Sequence, residues 1–174
     1  FRTAVVAENL SDLEGAPSHP AARQAPRVAF VYSGQGSQWL AMGRTLLQEP
    51  AFSALVDEAE PHFVKHLGWS LREAFLSDET STEKTAVVQP MIFALQAGLT
   101  RMLEAWGVEP EMVIGHSVGE VASSWASGAL TLPDAINLIS HRSGLMDRES
   151  SRGRMLSVSA SPSQVKPFLR DGVC

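Results

Sequence analysis

Residues 115–119 carry the pattern that most restricts how this chain can fold. Gly115, Ser117 and Gly119 form a G-x-S-x-G, which follows the apolar run 111–114 and precedes a helical pattern. In such a strand–turn–helix the turn is tight, and a side chain at either glycine would collide with neighbouring elements. The serine backbone is then strained, and its hydroxyl is raised at the carboxyl end of the sheet. A serine turn that only caps the helix is the alternative interpretation.

The rest of the chain alternates short strands with helices. Continuous or β-rich apolar runs predict strands at 27–32, 111–114 and 155–159. The first of these reads as a buried parallel strand that ends at a glycine turn, 33–37. Apolar residues at helical spacing, bounded by Gly and Pro, predict helices at 39–48, 51–67, 69–76, 87–106, 118–127 and 133–148, with another starting near 162. This alternation predicts an α/β fold with a parallel sheet.

Composition makes several functional classes poor candidates. The 174 residues include 14 Lys+Arg and 19 Asp+Glu, for a net charge of −5, whereas nucleic acid binding depends on clustered positive charge. No apolar run approaches the roughly 20 residues that span a bilayer, so neither nucleic acid nor membrane is an expected partner. The single cysteine, Cys174, cannot form an internal disulfide and favours a reducing, cytoplasmic location. His62 and His66 lie one helical turn apart without an evident third ligand, so no metal site is expected.

The glycine turn after the first strand has three interpretations. The first is a phosphate-binding turn, but Gly34-Gln35-Gly36 lacks the lysine of a P-loop and the third glycine of the dinucleotide-binding pattern. It could instead present a backbone N–H toward Ser117 from the neighbouring strand, as in two-donor oxyanion holes, or only cap the helix that follows. The other expected donor is the amide of Val118, because it lies at a helix N-terminus where peptide dipoles stabilise a developing oxyanion.

Five motifs follow one another along the chain. They are Val31–Trp39 with its Gly-Gln-Gly turn, Ala41-Met42-Gly43, Gln89-Pro90, residues 115–120, and Arg142 between His141 and Ser143. In this order they resemble the malonyl-CoA:acyl carrier protein transacylase family, and most closely the acyltransferase domains of modular (type I) polyketide synthases. The resemblance implies an incomplete, parallel-sheet α/β-hydrolase-like large subdomain and the start of a ferredoxin-like small subdomain.

The resemblance, which extends from about residue 27 to 160, also implies a division of the chain. Residues 1–26, rich in Pro and Ala toward their end, resemble the end of a linker from a preceding ketosynthase domain. Residues 27–152 correspond to part of the acyltransferase large subdomain, and 153–174 to the truncated start of the small one. Since the sequence also lacks an initiator Met, an N-terminal fragment of such a domain is expected.

The resemblance further implies an activity. Ser117 is the expected nucleophile, which takes a malonyl or methylmalonyl group from coenzyme A and passes it to the phosphopantetheine thiol of an acyl carrier protein in polyketide or fatty acid synthesis. The amides of Gln35 and Val118 are the expected oxyanion hole. Arg142 is expected to bind the free carboxylate of the acyl group, because its planar fork makes two parallel hydrogen bonds to a carboxylate.

Two further residues have two interpretations each. His116 is expected to shape the pocket or to be a packed neutral histidine, and Gln89 to line the site or only to cap its helix. The expected partners are an acyl carrier protein domain, the adjacent ketosynthase domain and malonyl-CoA or methylmalonyl-CoA. No cofactor or metal is expected to be bound. In the family that the sequence resembles, the residue after the serine correlates with the acyl group, and Val118 favours malonyl by that resemblance, although one methyl group is worth only about 1–3 kcal/mol in a pocket.

In this family the catalytic histidine lies well downstream of the serine, which places it beyond Cys174. The chain alone is therefore predicted to be poorly active or inactive, because removal of one triad member leaves only residual catalysis. Two other functions stay open. A serine esterase or lipase of the α/β-hydrolase type would share the serine turn, but its neutral substrate would leave a buried Arg142 unpaired. A docking module would carry an inert serine.

Overall fold

Two parallel strands form the sheet in the part of the chain that the computed structural model describes, residues 27–36, 38–78, 84–149 and 158–170. β1 (Ala29–Tyr32) and β2 (Met112–Gly115) pair in register, with Ala29 opposite Met112 and Tyr32 opposite Gly115. Because parallel strands end at the same edge of a sheet, the turns that follow β1 and β2 lie side by side. The predicted parallel α/β arrangement is confirmed.

Helices occupy most of the remaining described residues. They are α1 (Pro50–Leu67), α2 (Leu71–Leu76), α3 (Thr85–Ala105), α4 (Gly119–Ala126), α5 (Leu132–Glu149) and the one-turn α6 (Pro162–Val165), with 3₁₀ turns at Thr45–Gln48 and Lys166–Phe168. Local chemistry explains several ends. Pro50 begins α1, where its missing N–H costs no hydrogen bond, and Gly68 (φ 76°) ends it in the left-handed conformation. The Ser70 hydroxyl caps α2 by accepting the Glu73 N–H at 3.1 Å.

The hydrophobic core lies among α1, α3, α5 and one face of the sheet, with Phe52, Phe63, Phe75 and Phe93 fully buried. α3 is the one described helix long and apolar enough to cross a membrane, but most of that stretch is buried, as in a core helix. On β1, the Tyr32 hydroxyl bonds to that of Thr100 at 2.8 Å. Burial raises the pKa of the Tyr32 phenol.

Two expectations about the first strand and the segment after it are wrong. The helix expected at 39–48 is reduced to the 3₁₀ turn Thr45–Gln48, because Ala41 (φ 58°) and Gly43 (φ 87°) adopt left-handed conformations that a helix excludes. β1 was expected to be buried on both faces, yet only alternate residues are. Phe30 and Tyr32 face the core, whereas Val31 is 71% exposed, because the described helices cover one face of the sheet.

Other expectations fall outside the described residues. The linker expected at 1–26 is among them, as is most of the strand expected at 155–159; residues 158–160 are described and form no strand. The helix expected near residue 162 is present as α6. What the described residues establish is a mixed α/β fold whose sheet edge carries two adjacent turns.

Candidate active site

Ser117 lies at the sharp turn between β2 and α4. Its φ of 54° places a non-glycine residue in the left-handed region, which costs about 1–3 kcal/mol and persists only where the surroundings enforce it. Two hydrogen bonds enforce it here: the Gly119 N–H donates to the His116 carbonyl at 2.9 Å, and the Glu120 N–H to the Ser117 carbonyl at 3.0 Å. Ser117 is solvent-exposed. The turn therefore has the strained geometry and the raised serine expected from the sequence.

The two glycines of the motif are required by space. A Cβ on Gly115 would lie 2.4 Å from the Gly119 carbonyl oxygen, and a Cβ on Gly119 would lie 2.2 Å from the Tyr32 carbonyl oxygen. Both neighbours are backbone atoms, so no side-chain rotation can relieve the overlap. The end of β1 is thus packed directly against the first turn of α4.

Replacing Gly119 with alanine is expected to lower the free energy of unfolding by about 2–3 kcal/mol, at the upper end of overpacking costs. The added methyl must push β1 and α4 apart. Gly144, on α5, offers a matched control, because a Cβ there would meet nothing within 4 Å. Its alanine variant should raise the free energy of unfolding by up to about 1 kcal/mol through helix propensity. Urea denaturation of both variants checks this, and equal stabilities would contradict the packing described for Gly119.

The turn after β1 lies against the turn after β2. The His116 N–H donates to the Tyr32 carbonyl at 2.9 Å, which extends the pairing of the strands by one bond. A Cβ on Gly34 would lie 2.8 Å from His116 Nδ1, so the imidazole occupies the space that a side chain at 34 would need. Gln35, the next residue, is therefore held near the serine turn.

A chain of side-chain hydrogen bonds joins these turns to α3 and α5. Arg142 Nη2 on α5 donates to Ser117 Oγ at 3.1 Å, and Nη1 donates to Gln89 Oε1. Gln89, on α3 and only 1% exposed, in turn donates from Nε2 to Gln35 Oε1 at 3.1 Å. Four separate elements thus meet around one serine hydroxyl.

The amide of Val118 lies where an oxyanion donor is needed. Val118 is the N-cap residue of α4 (φ −58°) and its side chain is fully buried, which fixes the orientation of its backbone. No backbone carbonyl among the described residues accepts its N–H. A free amide at a helix N-terminus, beside an exposed serine, is a favourable position for negative charge.

Arg142 is charged but has no acidic partner among the residues that the structure describes. The ion pairs found among the described residues do not include it, and its two contacts, Ser117 and Gln89, are both neutral. A partly buried guanidinium that points at a reactive hydroxyl without a counter-ion is suited to receive an anionic ligand. No group of metal-ligating side chains was found in the described ranges.

The structure brings all six expected site residues together. It adds one that sequence reasoning did not single out, Met146, whose Sδ lies 3.5 Å from Gln89 Nε2. Met146 is one helical turn beyond Arg142 on α5, and this i, i+4 spacing is the signal that places both on one face of the helix. The thioether thus lies beside the Gln89 amide that also contacts Arg142.

Comparison with known proteins adds an independent line of support. The family model described as acyl transferase domain matches residues 29–174. A mycocerosic acid synthase-like polyketide synthase of Mycolicibacterium smegmatis is 42% identical over 157 residues, which are 90% of this chain and 7% of that protein. A highly reducing polyketide synthase of Fusarium mangiferae is 36% identical over an alignment of 187 residues, which covers 99% of this chain and 8% of that protein.

Solved structures give the same result. The acyltransferase domain of the polyketide synthase PpsC of Mycobacterium tuberculosis is 41% identical with a TM-score of 0.65, over 74% of this chain and 41% of that one. The malonyl-CoA:ACP transacylase of Synechocystis is 33% identical with a TM-score of 0.62, over 71% of this chain and 41% of that one. The chain thus spans less than half the length of these two domains.

Proposed function

Because this chain belongs to the acyltransferase family of polyketide synthases and malonyl-CoA:ACP transacylases, we propose that it transfers a malonyl-type group from coenzyme A to an acyl carrier protein. The observation that carries the proposal is the guanidinium of Arg142. It lies 3.1 Å from Ser117 Oγ and has no acidic partner among the ion pairs of the described residues. A substrate with a free carboxylate would supply that partner at the place where the thioester reacts.

The first half-reaction forms an ester on Ser117. The Ser117 oxygen attacks the thioester carbonyl and its proton passes to a general base, while the amides of Val118 and Gln35 receive the developing oxyanion. The intermediate then collapses, the C–S bond breaks, and the coenzyme A thiolate leaves with a proton. The second half-reaction runs the same steps in reverse, with the phosphopantetheine thiol as nucleophile. Each oxyanion donor of this kind is worth about 10²–10³ in rate.

The general base is the part that the described residues do not supply. The hydrogen bond recorded for Ser117 Oγ comes from Arg142, which cannot accept a proton at neutral pH. We propose that the base is the downstream histidine that the family resemblance implies, which would lie beyond Cys174. It follows that the 174-residue chain alone should transfer malonyl groups far more slowly than the full-length protein. Equal rates per molecule in a carrier protein acylation assay would contradict this placement.

The proposed partner domains rest on the same relatives. The chain spans less than a tenth of the length of the two synthases described above, so neighbouring ketosynthase and carrier protein domains are proposed partners. The proposed location is the cytoplasm, and no bound metal or cofactor is required by the proposed chemistry. We propose malonyl rather than methylmalonyl as the transferred group, on the basis of Val118 after the serine.

A panel of acyl donors tests the proposal. The full-length protein is incubated with a carrier protein and malonyl-CoA, acetyl-CoA or a neutral ester, and acylation of the carrier is measured. The proposal predicts efficient transfer from malonyl-CoA and at most slow transfer from acetyl-CoA. Hydrolysis of the neutral ester with no transfer from malonyl-CoA would instead support the esterase alternative.

Changing Gln89 to glutamate tests the expected role of Arg142 without removing it. A carboxylate at 89 would take the place of the amide oxygen that Arg142 Nη1 now contacts, and would compete with the substrate carboxylate for the guanidinium. The expected result is a rise in KM for malonyl-CoA of at least about tenfold, the effect of about 1.4 kcal/mol. Gln48→Glu, at an exposed position in the 3₁₀ turn Thr45–Gln48, is the control, and an unchanged KM in Gln89→Glu would contradict the assignment.

A further inference from the structure

We propose that His116 is a positioning residue whose imidazole holds the Gly34 turn in place, and thereby sets the Gln35 amide opposite the Val118 amide. This inference rests on the proposed function, because it concerns how the two oxyanion donors are aligned. It assigns the histidine before the nucleophile a task distinct from proton transfer.

The contact between the ring and the turn is direct. A Cβ built on Gly34 would meet His116 Nδ1 at 2.8 Å, and the ring Cε1 and the carbonyl oxygen of the same residue each at 3.3 Å. Gly34 is not among the glycines with positive φ, so its backbone conformation does not demand glycine. The missing side chain is instead needed to let the imidazole lie on the backbone. Gly36, by contrast, has a φ of 124° and open space around a Cβ.

The backbone of His116 is itself held by hydrogen bonds to β1 and to the start of α4. Its N–H donates to the carbonyl of Tyr32, the last residue of β1, and its carbonyl accepts the Gly119 N–H, each at 2.9 Å. The ring therefore projects from a rigid point adjacent to Ser117 onto the residue adjacent to Gln35. This contact spans the gap between the two donor-bearing turns.

A second connection reaches the same turn from the other side. The Gln35 side chain accepts a hydrogen bond from Gln89 Nε2 at 3.1 Å, so the turn is held between a hydrogen bond to α3 and the imidazole. Removing the ring leaves the hydrogen bond, and the turn should shift rather than unfold. Because an oxyanion donor acts mainly on the transition state, such a shift should appear in kcat and not in KM.

Steady-state malonyl transfer by the full-length protein tests the inference. His116→Ala is expected to lower kcat about tenfold, part of the about 10²–10³ that a whole donor is worth, with KM within twofold. His116→Asn should recover most of the loss, since its amide can reach the position of Nδ1. His141→Ala, at an exposed position on α5, is the matched control and should behave as wild type.

A double variant separates positioning from general damage. Gly34→Ala should also lower kcat, because its methyl displaces the imidazole. Combined with His116→Ala, the methyl no longer meets the ring and keeps only its 3.3 Å approach to the carbonyl oxygen of residue 116, so the rate of the double variant should be close to that of His116→Ala alone. Three results would each overturn the inference: a kcat of the double variant equal to the product of the two single losses, a loss in His116→Ala that appears in KM, or an unchanged kcat in His116→Ala. If Ser117→Ala retained wild-type transfer, the proposed function itself would fail instead.

Discussion

Ser117→Ala is expected to lower malonyl transfer by on the order of 10⁶, the loss found when the catalytic serine is removed from a serine hydrolase. Without the hydroxyl no acyl-enzyme ester can form, and the oxyanion donors and Arg142 are left to bind substrate. The fold should survive, because alanine and serine bear a similar cost at the φ of 54° that this position requires.

Ser123→Ala is the matched control for that loss. Ser123 lies on α4, six residues beyond the nucleophile, and its hydroxyl donates to the Glu120 carbonyl at 3.0 Å. We expect wild-type transfer from Ser123→Ala and near-background transfer from Ser117→Ala, measured as carrier protein acylation at saturating malonyl-CoA. A Ser117→Ala protein that kept more than about a hundredth of the wild-type rate would exclude covalent catalysis through this serine, given the expected loss.

Arg142→Ala is expected to have the second-largest effect, and one that depends on the substrate. The kcat/KM for malonyl-CoA should fall about 10²–10³-fold, equivalent to about 2.7–4 kcal/mol, because two charge-assisted hydrogen bonds to the substrate carboxylate are lost. Transfer from acetyl-CoA, which has no carboxylate, should not fall. Its use should even rise slightly, since Ser117 Oγ is freed from the donor that now contacts it.

Two further variants at α5 sharpen this result. Arg142→Lys keeps the charge but loses the planar fork, and should retain an intermediate preference for malonyl-CoA. Arg148→Ala removes another arginine of the same helix, whose Nε donates to the Gly144 carbonyl at 3.3 Å, and should leave both substrates unaffected. An equal loss with malonyl-CoA and acetyl-CoA in Arg142→Ala would show that the guanidinium supports the fold and does not select substrate.

The strands, the helices and the serine turn could be predicted because their causes are local. The spacing of its apolar residues, and the glycine and proline that follow it, identify α3 from its own sequence. The two glycines around Ser117 likewise indicate a tight turn before any tertiary contact is known. The error at 39–48 has the opposite origin. Its apolar spacing is helical, but Ala41 and Gly43 adopt left-handed conformations, and Gly43 lies close to Phe75, a contact that the spacing does not reveal.

The side-chain network was beyond pattern reasoning for a similar reason. Gln89 and Arg142 are separated by 53 positions along the chain, and neither helix periodicity nor charge pattern indicates that they touch. The order of the motifs indicates both residues, whereas the contact between them depends on how α3 and α5 pack. The burial of β1 could not be predicted either, because exposure of Val31 depends on what covers that face of the sheet.

The most direct test of the account is to find where the malonyl group resides between donor and acceptor. The full-length protein is mixed briefly with malonyl-CoA without carrier protein, quenched in acid, digested and analysed by peptide mass spectrometry. The account predicts a malonyl ester on the peptide that contains Ser117, lost from the protein when carrier protein is added before the quench. A malonyl group on any other residue, or efficient transfer with no acylated serine, would contradict it.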